Sequence, residues 1–318
     1  MVMQSAFVFI KPQANTPKVE ELVKTKFSSV GITILKEGEI TGPVIDAKQY
    51  IDNHYYAIAS KATIMAAKDL NIPVEKFAAT FGEEWATVCA EGRALNALEI
   101  KNKFGWTADE LDAKWSETSD KHDPKTRIKF GGGFYCGKLV VEGTTYYTFN
   151  AFFMTMRDKF TGADAKIHYF VVEFDSETLA WADFRGKVLG PTNPADAPSD
   201  SLRGMVLATW QELGLQSAPD TGDNAVHASA SPFEGLAERT NWLGDEYTIG
   251  EGDKQDSFAK ALIAEGLDVD TIKAWTVDPQ VLLVKGEDKK GSVFDQLEDK
   301  DSAECIAKLK ELYGAKSA

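Results

Sequence analysis

The sequence predicts an α+β chain built on a split β-α-β core: a four-stranded antiparallel sheet with helices on one face, interrupted by a helical and β-hairpin insertion. Three observations predict it. Residues 5–36 read strand, helix, strand. A second such run returns between residues 166 and 228. The stretch between them carries helix and turn signals of its own.

The elements follow in order. Ala6-Phe7-Val8-Phe9-Ile10 is a continuous apolar run, as in a buried strand, and Lys11-Pro12 ends it. Thr16 stands as an N-cap with Pro17 at the first helical position. Val19, Leu22, Val23, Phe27 and Val30 then share one helix face, Gly31 stops the helix, and 32–35 starts the second strand. Residues 167–174 (IHYFVVEF) are β-branched and aromatic, as in a strand. Residues 178–189 read as a helix and 190–203 as a Pro/Asp/Ser loop. Asn224 to His227 is a short segment before a helix start, Ser231-Pro232-Phe233-Glu234, with the pattern of a capping box. This order suits a ferredoxin-like sheet.

Four segments result: core 1–56, insertion 57–146, core 147–250 and a C-terminal extension 251–318. In the insertion, IASKATIMAAKDL, VEKFAATFGEEWATVCAE and TADELDAKWSET read as helices, and FGGGFYCGKLVVEGTTYYTF as a hairpin. The extension reads as a polar linker (GEGDKQDS), a strand at 281–284 and a closing amphipathic helix.

Composition excludes several functions. Lys+Arg total 35 against 49 Asp+Glu, a net charge of −14. Phosphates of nucleic acid and anionic lipid repel such a chain, so a phosphate-bearing ligand needs a local basic pocket. Cys89, Cys136 and Cys305 form neither a disulfide framework nor a zinc pattern, which suggests a reducing compartment. There is no apolar run of the ~18 residues a membrane span needs. The opening MVMQSAFVFIKPQ lacks a signal-peptide pattern. A cytoplasmic protein is the expectation.

Of the four histidines, His54, His122 and His168 read as packed or solvated residues. His227 lies among small neighbours, and Glu238, eleven residues on, shares a helix face with Glu234 and Ser231. A carboxylate there can hold one ring nitrogen and leave the other nucleophilic. A P-loop is absent, and FGGG at 130–133 reads as a tight turn. Lys11 and Arg203 are the usable cations.

Five blocks then fall in one order: FVFIKPQ, KQYIDNHYY, NAFFMTMRDKFTG, VLGPTNPADAPSDSLRG and NAVHASAS followed by the Glu238 helix. Together they resemble the nucleoside diphosphate kinase family over 1–56 and 147–243. The resemblance implies transfer of the γ-phosphate of ATP or another nucleoside triphosphate to a nucleoside diphosphate, through a phosphohistidine, with Mg²⁺ bound to the nucleotide phosphates. It implies that His227 is the phosphorylated residue, that Glu238 holds it and that Ser229 stands beside it. Lys11, Thr192 and Arg203 match phosphate and sugar contacts, Asn224 a ribose contact, and Tyr50 a tyrosine near the phosphates. Phe152 matches the aromatic platform under the base, with Met156 one turn later.

The chain departs from the family pattern at Ala228 and Ala230, where the family has Gly and Asp. A family arginine falls at Gly186, leaving Arg185 or Lys187 to substitute after a local shift. The stretch between Arg203 and Asn224 is long, which alters the pocket rim. These departures keep a weakly active or inactive scaffold as the alternative to an active kinase. The insertion, with mixed charge and its own apolar residues (Ile64, Met65, Phe77, Phe81, Trp85), is expected to alter assembly: a homo-oligomer, a dimer first, or a protein partner docked on it.

Overall fold

A computed structural model describes residues 3–121 and 124–316. His122 lies outside them. Two compact units divide the chain: Met1–Lys48 with Phe160–Ala318, and Gln49–Lys159.

The main sheet of the first unit has four strands: β1 (Met3–Ile10), β2 (Thr33–Thr41), β3 (Lys166–Asp175) and β4 (Val226–Ala228). Their order across the sheet is β2-β3-β1-β4, every pair antiparallel. This is the split β-α-β order, with the two strand–helix–strand runs interleaved.

Strand pleat sorts β1 into two faces. Ala6, Val8 and Ile10 join the core made with Val19, Val23 and Phe27 of α1 (Pro17–Ser29). The Thr16 hydroxyl caps α1 by accepting the Val19 N–H at 3.3 Å. Phe7 and Phe9 point the other way, where their rings meet Trp242 at 6.2 and 5.5 Å. Trp242 closes helix α3 (Pro232–Trp242), while α2 (Leu202–Thr209) packs with α1. The expected helices on one face are thus joined by α3 on the other. A strand with no exposed position from Ala6 to Ile10 needs cover on both sides.

The helix expected at 178–189 is a short turn, Trp181–Asp183, continued by a π-helix, Phe184–Leu189. At the start of α3 only half of the capping box forms. Ser231 accepts the Glu234 N–H at 3.1 Å, but the Glu234 carboxylate takes the Ala230 N–H at 2.6 Å instead of returning to Ser231.

The C-terminal segment is not a separate tail. Helices Ser257–Ala264, Val269–Trp275, Val293–Leu297 and Ser302–Lys316 build a second core with Phe233 and Leu236 of α3. The strand expected at 281–284 is Gln280–Leu282, paired with Lys290–Ser292. Nor is GEGDKQDS a free linker. Its Asp256 is buried, caps the next helix through the Phe258 N–H at 2.9 Å, and pairs with buried Arg239 at 2.7 Å. The polar letters hide this because the partner comes from α3.

The second unit has two aromatic-rich cores. The hairpin is a three-stranded meander, Arg127–Gly131, Phe134–Val141 and Thr144–Phe149, and its first turn holds Gly132 and Gly133. The helix expected at IASKATIMAAKDL is broken into Tyr56–Ala59, a π-turn Ser60–Ile64 and a 3₁₀ turn Ala67–Asp69. Helix Ala97–Phe104 escaped the sequence reading, although its capping box, Asn96 with Glu99, is complete. This unit runs beyond the expected 57–146 at both ends. Its outlying segments are joined by a buried pair: Arg157 Nε lies 2.9 and 3.1 Å from the two oxygens of Asp52, and Thr63 donates to Asp52 Oδ1 at 2.5 Å. Among the described residues no helix is long and apolar enough to cross a membrane.

Candidate active site

The site grows from the edge strand β4. Its register with β1 sets His227 opposite Phe9 and Val226 opposite Ile10. The imidazole stacks on the Phe9 ring, centroids 4.6 Å apart and 26° between planes. The same register carries Lys11, just past β1, to the entrance of β4, where its N–H donates to the Ala225 carbonyl at 2.8 Å. Its ammonium donates to the Gly222 carbonyl at 3.2 Å.

Arg203 comes from the first turn of α2. Its Nη2 donates to the Val226 carbonyl at 2.8 Å and its Nη1 to the Gly190 carbonyl at 2.8 Å. The guanidinium therefore joins β4 to the loop that begins at Gly190. Gly190 itself has φ +89°, and a Cβ there would stand 2.6 Å from Ser201 Oγ. Asn224 Nδ2 donates to the Thr192 carbonyl at 3.0 Å. Its Oδ1 is buried with no hydrogen-bond partner among the described residues. An orphaned buried acceptor calls for an external donor such as a hydroxyl or water.

Beneath the imidazole lies a chain of hydrogen bonds. Glu238 Oε1 is 2.6 Å from His227 Nε2. Glu238 Oε2 accepts from the Ser229 hydroxyl at 2.5 Å, and Ser229 Oγ accepts the Phe7 N–H at 2.9 Å. Glu238 is buried and reaches both groups because it stands two turns into α3. An ionised carboxylate can only accept, so Nε2 donates its N–H to Glu238 and the lone pair is left on Nδ1. Burial, and then the charges of Lys11, Arg203 and Arg185, hold the His227 pKa well below the ordinary imidazole range. The ring is kept neutral, as a nucleophile must be. Burial and the nearby Glu238 carboxylate push Glu234 up from the usual carboxylate range.

The first unit thus brings His227, Ser229, Glu238, Lys11, Arg203, Asn224 and Thr192 to the two ends of β4 and the loop beside it. Tyr50, Phe152 and Met156 belong to the second unit. Tyr50 opens the helix Tyr50–His54. The Phe152 ring packs against Tyr135 and Trp115, at 5.9 and 6.0 Å, and Met156 joins the same core. Of the other histidines, His168 is buried in β3 with Nε2 3.4 Å from Glu37, and the His54 ring stands edge-on to Tyr55.

Sequence reasoning missed three participants. Phe9 reads only as a core residue, because nothing in the letters says that its ring underlies His227. Arg239 and Asp256 stand out only as charges, although together they fix the helix that presents Glu238.

Solved structures similar to this chain include nucleoside diphosphate kinases. That from Encephalitozoon cuniculi is 13% identical, with 80% of this chain and 96% of that chain covered and a TM-score of 0.38. That from Aquifex aeolicus is 11% identical, covering 76% and 95%, at a TM-score of 0.37. An NDP kinase from Pyrobaculum aerophilum is 15% identical, covering 76% and 96%, at 0.35. No protein-family model matches the chain, and no curated protein matches it in sequence.

Proposed function

We propose that this protein is a nucleoside diphosphate kinase, moving the γ-phosphate of a nucleoside triphosphate to a nucleoside diphosphate through phosphorylated His227. The observation that carries the reading is the Ser229–Glu238–His227 chain, which presents a neutral imidazole nitrogen beside Lys11 and Arg203.

Phosphoryl transfer asks mainly for positioning and charge neutralisation. Nδ1 of His227 attacks the γ-phosphorus in line, and the bond to the β-bridging oxygen breaks, leaving the nucleoside diphosphate. The Nε2 proton stays shared with Glu238, which stabilises the charge gained by the ring. An acceptor diphosphate then attacks the phosphohistidine along the reverse path. Lys11 and Arg203 offset the phosphate charge, and Asn224 Oδ1 accepts from a sugar hydroxyl. Mg²⁺ supplies further charge neutralisation when it arrives on the nucleotide phosphates.

Incubation with γ-labelled ATP and Mg²⁺ tests the reading. Acid-labile label on the protein that chases into a nucleoside diphosphate supports it. A correctly folded protein that takes no label is the scaffold alternative.

We assign the protein to the cytoplasm, on its free Cys89, Cys136 and Cys305. The second unit is assigned a role in assembly, with a dimer expected. Light scattering of the full chain and of a chain lacking 60–145 checks this: the same compact hexamer from both would remove that role.

A further inference from the structure

The C-terminal segment reaches the back of the His227 site through one short stretch. Asp299 donates its N–H to the Ala230 carbonyl at 3.0 Å, three residues beyond His227. Asp301 Oδ1 accepts from the Trp181 N–H at 2.7 Å and from Gln4 Nε2 at 2.8 Å, and Ser302 donates its N–H to Gln4 Oε1 at 2.8 Å. The stretch is thereby fixed to the start of β1, to the turn before the π-helix and to the loop after β4.

From this brace two carboxylates meet one arginine. Arg185 Nη1 donates to Glu298 Oε1 at 2.8 Å and to Asp299 Oδ1 at 2.6 Å. Both acids use the same nitrogen. Nε and Nη2, the side-on fork of the guanidinium, make no hydrogen bond among the described residues. That fork is the edge that binds a phosphate in bidentate fashion. Lys187 points elsewhere, paired with Asp183 at 2.9 Å and largely exposed. The π-helix bearing Arg185 packs against β4, the strand of His227.

Resting on the phosphate-transfer reading, we infer that Glu298 and Asp299 are positioning residues: they hold Arg185 by Nη1 so that its Nε/Nη2 fork serves as a third cationic contact for the phosphates at His227. The extension is then part of the site. Asp299 has φ +60°, a left-handed conformation that Asn also tolerates, so Asp299→Asn removes charge without backbone strain.

Pyrophosphate binding by calorimetry, at fixed salt and without nucleotide, tests this on the full chain. Arg185→Ala should weaken binding about tenfold, the scale of one charge-assisted hydrogen bond. Glu298→Gln/Asp299→Asn should weaken it by roughly three- to tenfold, through misplacement of the fork. Both acids are about half exposed, at 52% and 49%, and removing their negative charge would by itself favour pyrophosphate, so weaker binding by the double variant reports misplacement of the fork. Arg185→Lys, which keeps the charge and the fold but loses the fork, should also weaken binding. Equal or tighter binding by the double variant overturns the positioning role, because the acids then merely neutralise Arg185. Unchanged binding in Arg185→Lys overturns the fork, and no binding by the wild-type protein overturns the whole inference. The kinase reading is judged separately by phosphohistidine: pyrophosphate binding that follows these variants without any labelling keeps this inference and removes that reading.

Discussion

Glu238 and His227 meet 2.6 Å apart across eleven residues of chain, and the second oxygen of Glu238 is held by Ser229. The carboxylate is buried, so its geometry leaves little freedom, and it sets which imidazole nitrogen carries the lone pair.

His227→Ala should abolish acid-labile labelling, since the atom that accepts the phosphoryl group is gone. It also leaves Glu238 Oε1 without its partner, a cost of about 1–3 kcal/mol. Urea denaturation should show that loss with a cooperative transition retained. Labelling at the wild-type level would end the mechanism.

Glu238→Gln should slow phosphoenzyme formation by roughly 10–100-fold without abolishing it, the usual scale for a group that orients another. A Gln amide can still touch both His227 and Ser229, but it neither holds the imidazolium charge nor fixes the tautomer. Single-turnover labelling measures the rate.

Labelling should persist as pH falls below the ordinary imidazole range. A free imidazole is mostly protonated near pH 6, whereas burial and the three cations keep folded His227 neutral there. The linkage has a definite sign. The unfolded chain binds a proton at His227 near pH ~6.5 and the folded chain only at lower pH, so this residue's share of stability is full above that pH and falls as pH drops toward the folded value. A pH profile of labelling whose acid limb lies at the ordinary imidazole value would contradict the site's electrostatics.

Asp256→Asn should destabilise the protein by about 3–5 kcal/mol, because it leaves the buried Arg239 charge uncompensated. Arg239→Met with Asp256→Leu should cost far less, since both charges leave together. Denaturant midpoints of the three proteins check this. Equal losses in single and double variants would show that the pair is not coupled.

Gly204→Ala should lower both stability and phosphate affinity. A Cβ at Gly204 would stand 2.1 Å from the Pro198 carbonyl oxygen, so the first turn of α2 must shift, and Arg203 precedes it directly. Wild-type values for both quantities would show that the loop gives way freely.

The sequence alone determined the alternation of strands and helices in the core. An apolar run such as Ala6–Ile10 must be buried, and the Thr16-Pro17 start leaves the chain one way to begin a helix. It also singled out His227 and Glu238, because a lone His among small residues and an acid at helical spacing are local patterns. Tertiary structure decided the rest. That α3 covers the second face of the sheet follows from Phe7, Phe9 and Trp242 meeting across more than two hundred residues, which periodicity within one window cannot register. The burial of Asp256 in what reads as a linker has the same origin: a polar group's cost depends on a partner from another element, here Arg239. So does the attachment of the C-terminal segment, whose Glu298 and Asp299 look like solvated surface charges until the fold sets Arg185 against them. Local letters specify conformation because steric and hydrogen-bonding preferences act between neighbours. Charge pairing and close packing act through space, and only the folded chain brings their partners together.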